Sequence, residues 1–269
     1  MSDQRLPRRC AFVQPDGQKQ AFSLIELVVV VFTLALLGCI VLPALAAAGD
    51  SGKRLVCFNN LKQLGMAAAM YGNENHDFLA QPNWDGGLAS VPGWLYSGAI
   101  RDPGPGGAYA TKPLAAYATG LWFQYVRDPR IYLCPVDIES KTYTYPPASG
   151  GRSDRLSSYV MNGAVCGYAG TGSLACKITD VWSPSCYLLW GPDENAAGPG
   201  NPGAFTFNDG SSFPSVSEGM IERLHTLTGG EILTVGGSVQ FVSVQKFRTE
   251  ATAVGKSFAW WSPFSGTGH

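Results

Sequence analysis

The 22 residues from Leu27 to Ala48 carry no ionisable charge, and this stretch restricts what the start of the chain can be. A helix needs about 20 apolar residues to cross a bilayer. An ordinary cleaved secretory signal holds an apolar core of only roughly 7–15. A buried core helix is seldom apolar on every side over such a length. The pattern therefore predicts a transmembrane helix over 22–48. Arg5, Arg8, Arg9 and Lys19 precede it, against Asp3 and Asp16. By the positive-inside rule the N-terminus stays cytoplasmic and everything after about Asp50 is exported. Lys53 and Arg54 weaken that asymmetry without reversing it.

From Phe22 to Gly49 the one ionisable side chain is Glu26. A carboxylate at the mouth of a membrane helix costs free energy unless it pairs or reaches headgroup water, so it marks a candidate functional position. The segment Lys19-Gln20-Ala21-Phe22-Ser23-Leu24-Ile25-Glu26-Leu27-Val28 resembles the processing site of type IV pilins and type II secretion pseudopilins. That resemblance implies cleavage by prepilin peptidase between Ala21 and Phe22 and N-methylation of Phe22. It also implies assembly through Glu26, whose carboxylate would neutralise the Phe22 ammonium of a neighbouring subunit, and a helix kink at Pro43. Ala21 departs from the glycine the family carries there, so slower processing is expected. A rival reading takes Leu36-Leu37-Gly38-Cys39 as a lipobox. Leu37 is large where that motif wants a small residue, and the apolar run continues nine residues beyond Cys39.

Beyond the Gly49-Asp50-Ser51-Gly52 break, Leu55, Phe58, Leu61, Leu64, Ala68 and Tyr71 recur at spacings of three and four. They predict an exported continuation of the helix over 49–75 with one apolar stripe, stopped at Gly72-Asn73. Within it, Cys57-Phe58-Asn59-Asn60-Leu61-Lys62-Gln63-Leu64-Gly65 resembles a segment of a pseudopilin-like branch that also has a C-terminal His-x9-Asp-Gly motif. Tyr132-Leu133-Cys134-Pro135 and Ser158-Tyr159-Val160-Met161-Asn162-Gly163 are further echoes of that branch. Here ten residues, not nine, separate His225 from Gly236, and Gly236 stands where the family has Asp.

The remaining 76–269 reads as a β-rich globular domain behind a leader at 1–21. Tyr187-Leu188-Leu189-Trp190 has strand character. Glu231–Val235 and Ser238–Val244 flank Gly236-Gly237 as a hairpin, predicting Ile232 opposite Phe241 and Thr234 opposite Val239. With 33 glycines and 18 prolines in 269 residues, stretches 82–116 and 191–217 read as surface loops. The fold class expected is α+β: a long N-terminal, partly transmembrane helix packed on a small antiparallel β-sheet with long Gly/Pro-rich loops, as in pilins.

A formal charge of -1 leaves no basic excess for nucleic acid. His76, His225 and His269 show no metal-ligand spacing, and His225 has no recognisable acid or nucleophile partner. No catalytic residue, metal or resident cofactor is expected. Calcium is the one cation the resemblance raises, with Asp193-Glu194-Asn195 and Asn208-Asp209-Gly210 as oxygen donors, although their spacing fits no EF-hand loop. Of seven cysteines, Cys166 with Cys176 is the shortest candidate disulfide and Cys57 with Cys134 would tie helix to sheet. Spacing decides neither. The resemblance thus implies a non-enzymatic pseudopilin subunit, with prepilin peptidase, other subunits and the bacterial inner membrane as partners. It would be a single-pass protein, N-terminus cytoplasmic, feeding a pseudopilus or surface filament. The alternative is a membrane-tethered or lipidated surface protein that binds a ligand, or a secreted enzyme.

Overall fold

The computed structural model describes residues 23–83, 92–97, 112–145, 151–152, 155–168, 174–193 and 210–269, and of residues 40–48 the helical backbone only. The leader and the Ala21–Phe22 junction lie outside these residues, as does the side chain of Pro43. The chain divides into two compact units, Met1–Ala48 and Gly49–His269.

Helix α1 runs Leu24–Glu74. It begins on a Ser-x-x-Glu sequence, a known helix-start signature. The Ser23 carbonyl accepts from Leu27 N–H at 3.2 Å, and Glu26 Oε2 accepts from Ser23 N–H at 2.9 Å. The break expected at Gly49–Gly52 does not occur. Both glycines are helical, because a mid-helix glycine costs only about 1 kcal/mol against alanine and does not by itself end a helix.

Among the described residues no helix is long and apolar enough to cross a membrane. This corrects both the transmembrane part of the expected fold and the single-pass inner-membrane placement. Beyond Gly49 the same helix carries Asp50, Lys53 and Arg54.

In the second unit α1 buries Cys57, Leu61, Leu64, Ala67 and Ala68, whereas Leu55 is exposed. The buried stripe is therefore rotated from the predicted one at its start. It packs into a core with Trp94, Trp122, Tyr132, Leu189, Leu233 and Trp261. Trp94, Leu95 and Tyr96 are fully buried, so the stretch predicted as a surface loop over 82–116 contributes to the core.

Five strands form one sheet: β1 (Val160–Asn162), β2 (Tyr187–Trp190), β3 (Ser211–Ser212), β4 (Gly229–Thr234) and β5 (Val239–Ser243), in the order β3-β1-β2-β4-β5. The sheet is mixed, correcting the antiparallel expectation: β3 lies parallel to β1, while the other pairs are antiparallel. Residues 191–210 separate β2 from β3, enough chain to pass β1 and add β3 at its far edge, which a tight hairpin cannot do.

Both faces of the sheet are covered. Met161, Leu188, Leu189 and Leu233 join the α1 side, and Val160, Tyr187, Trp190, Ile232 and Val242 the other, with Phe247 and Trp260. A register irregularity between Tyr187 and Leu189 lets two successive leucines face the helix. The described residues of the unit also form four short α-helices: α2 (Pro113–Tyr117), α3 (Phe123–Val126), α4 (Lys141–Thr144) and α5 (Val244–Ala251). Sequence patterning missed α5, which starts where Ser243 Oγ accepts from Lys246 N–H at 3.1 Å.

The hairpin register differs from prediction by one residue. Glu231 pairs with Phe241, Ile232 with Gln240 and Leu233 with Val239. Thr234 N–H donates to the Ser238 carbonyl at 2.9 Å, leaving a three-residue loop with Gly237 at φ 79, a standard alternative to the two-residue turn. One residue of slip exchanges faces. Phe241 is consequently exposed, with the Arg54 guanidinium 5.0 Å from its ring centroid.

Candidate functional site

Three segments that stood out in the sequence converge on one place in the second unit. Cys57 comes from α1, Cys134 from the loop after the 3-10 turn Pro129–Tyr132, and His225 from the loop before β4. Their sulfur and ring-nitrogen atoms all lie within 4.8 Å of one another. Cys134 Sγ is 3.2 Å from His225 Nε2, and Cys57 Sγ is 3.0 Å from the Tyr159 hydroxyl. Both thiols are fully buried, and His225 is half-buried.

The backbone around the cluster is held from several sides. Asn60, one helical turn from Cys57, donates through Nδ2 to the Leu133 carbonyl at 2.9 Å, fixing the cysteine loop to α1. Cys134 N–H donates to Ser158 Oγ at 2.8 Å, and Ser158 Oγ–H donates to Asp137. The fully buried Arg152 pairs with Asp137 at 2.6 Å. A buried ion pair of this kind is costly to break from one side only, so the loop bearing Cys134 sits on a stiff base. Asn162 is satisfied on every side: Nδ2 donates to the Tyr187 and Ala259 carbonyls, and Oδ1 accepts from Ala164 N–H and Tyr168 O–H.

The two thiols share their proton unequally. A hydrogen bond from the Cys57 thiol, then His225, holds Cys134 well below the usual thiol range despite burial. The hydrogen bond to Cys134 and burial hold Cys57 well above it. In contrast, burial pushes Cys176 and Cys186 up to about 12, leaving them as inert core thiols. Glu222 is buried against Gly191, with Oε2 unpartnered. Burial first, and then the negative groups around it, including Cys134, raise its carboxyl far above the carboxylate range.

The cluster escaped sequence reasoning because its members are far apart in the chain, 91 residues in the case of Cys134 and His225. His225 does have a partner, a thiol that only folding brings to it. The signal was present in pieces, since Cys57 and Cys134 each sat in a segment already singled out.

The other candidate residues are scattered. Glu26 caps the first turn of its own helix. Cys39 is exposed, Cys57, Cys134, Cys166 and Cys176 are buried, and neither candidate disulfide is formed. Cys176 N–H donates to the Val165 carbonyl at 2.9 Å, bringing the Cys166 and Cys176 segments side by side. Of the oxygens suggested for calcium, Asp193 is engaged by Arg223 at 2.7 Å. Residues 194–209 lie outside the described set. Among the described residues Cys57, Cys134 and His225 form a group able to hold a metal ion. In comparisons with known proteins, no family model, no curated protein and no solved structure matches this chain.

Proposed function

We propose that the chain is a pilin-like structural subunit, cleaved by prepilin peptidase between Ala21 and Phe22. It then assembles with other subunits through its N-terminal helix into a type II secretion pseudopilus or a type IV-like filament. The observation that supports this is the described start of α1. Leu24, Ile25, Leu27, Val28, Val29, Val31, Phe32, Leu34, Leu36 and Leu37 are each more than half exposed. Apolar surface left in water costs about 25 cal/mol per Å². Identical helices, apolar on every side, can cover one another. Glu26 Oε2 takes Ser23 N–H; its second oxygen is the one a neighbour's Phe22 ammonium would meet.

The test is co-expression with a prepilin peptidase and mass spectrometry of the N-terminus. A chain starting at N-methyl-Phe22 is the expected product. Glu26→Ala should still be cleaved but fail to enter sedimentable filaments. A chain that keeps Met1, or normal filament entry by Glu26→Ala, overturns the proposal.

A further inference from the structure

We propose that Cys57, Cys134 and His225 form a zinc site, binding one Zn²⁺ through two sulfurs and one imidazole nitrogen. This goes beyond the assembly role above and does not depend on it. Zn²⁺ bonds of about 2.3 Å to sulfur and 2.0–2.1 Å to nitrogen put neighbouring ligands of a tetrahedral site roughly 3.5 Å apart. The Cys134 Sγ to His225 Nε2 separation of 3.2 Å already matches that edge. All three donor atoms lie within 4.8 Å of one another, so closing on an ion needs side-chain adjustment of about an ångström and no movement of the backbone.

The donor set selects the ion. Two sulfurs and an imidazole suit zinc and exclude calcium and magnesium, which take oxygen. Two thiolates also balance the charge of a divalent ion, so the filled site is neutral in a buried setting. Zinc takes both sulfurs as thiolates, so the thiol protons they carry pass to solvent on binding, and the Tyr159 hydroxyl is left to donate to the Cys57 sulfur. The ion would fix His225 as the Nε2 ligand and place the proton on Nδ1, which is buried and unpartnered.

Three elements supply the donors: a helix residue locked by core packing, a loop tied down by Asn60 and Ser158, and a histidine at the partly exposed rim. Such preset ligands are what a specific site requires. Three protein ligands leave a fourth position, and His225 is the one member with exposed surface. An exogenous ligand such as water would enter from that side. A tetrahedral zinc with three protein ligands and a water is the arrangement of zinc enzymes rather than of closed structural sites.

The experiment uses the full chain, reduced with a phosphine and stripped of metal. Zn²⁺ is titrated against a chromophoric chelator, and Co²⁺ is used as a spectroscopic stand-in. Expected are one equivalent of tight binding and a thiolate-to-cobalt charge-transfer band with tetrahedral visible bands. Cys57→Ser, Cys134→Ser and His225→Ala should each weaken Zn²⁺ binding by more than about 100-fold, exceeding the loss typical of an outer-sphere partner. Each serine variant should also reduce the charge-transfer intensity, while Cys166→Ser and Cys176→Ser bind as the parent chain does. Should a ligand variant misfold by circular dichroism, alkylation of the parent chain decides: Zn²⁺ must protect Cys57 and Cys134 and leave Cys39 unaffected. Several results would overturn the site: no zinc binding by the reduced chain, a band that survives both ligand serines, or binding of Cu⁺ with none of Zn²⁺. Alkylation protection confined to other cysteines would overturn it equally.

Discussion

Glu222 is the residue whose chemistry departs furthest from its sequence appearance. In the sequence it is an ordinary glutamate in a loop. In the fold it is fully buried with its carboxyl pressed against Gly191, where a Cβ would collide with Oε2. Burial, and then the negative groups around it, hold its carboxyl well above the ordinary glutamate range. The folded chain therefore holds this proton more tightly than the unfolded chain does. Unfolding releases it once the pH exceeds about 4.5, and stability falls as pH rises from there. Glu222→Gln should flatten that decline between pH 5 and 8 in the metal-free protein. Urea midpoints measured across the range will check it, and an unchanged slope would show that the buried carboxyl is not its source. The Asp137–Arg152 pair was equally invisible in the sequence, because nothing local distinguishes a buried arginine from the solvated ones. Glu26 was the opposite case. The Ser-x-x-Glu spacing was readable as a helix start, but the isolation of Glu26 in an uncharged run drew attention to its charge instead.

At the scale of elements, periodicity located what had strong pattern. β2 was found at Tyr187–Trp190, and the helix expected over 49–75 is the second half of α1, which ends at Glu74. The hairpin was found with the wrong register, since Gly236-Gly237 fits a two-residue turn as well as the three-residue loop that formed. Helix α5 was missed because the strand was read through Val244, its first residue, and the seven that follow were given no element. Gly65 shows how closely α1 sits on the sheet. A Cβ there would lie 2.8 Å from Leu233 Cδ1 and 3.6 Å from the Gly237 carbonyl. Leu233 is itself fully buried, so it has no room to turn away. Gly65→Val should overpack this contact and destabilise the protein by about 1–3 kcal/mol, read as a lower thermal midpoint. A midpoint equal to the parent's would mean that α1 and β4 part more easily than their packing indicates.

For the whole molecule, every residue of the two buried clusters lies between Cys57 and Trp261. None of the described residues of the first unit is among them. A chain beginning at Gly49 should therefore keep the same cooperative unfolding, with its midpoint within a few degrees of the full chain. Thermal melts of the two will test this, and a broad, non-cooperative transition in the shorter one would contradict it. The mixed sheet order was beyond sequence reasoning, because β3 is two residues long and reaches β1 only through a long connection. The cysteine–histidine cluster was hidden for the same reason, as its members meet only through tertiary structure.

That separation along the chain has a consequence for timing. α1 is synthesised first, yet its buried stripe rests on Leu189 and Leu233, and Cys57 meets His225 only when the last third of the chain exists. Contacts between such distant residues form late and slow the search for the native state. During synthesis the sticky face of α1 waits uncovered, the period in which a chaperone would be of most use. Formation of the cluster therefore marks completion of the second unit's fold, and a partly made chain has no means of assembling it.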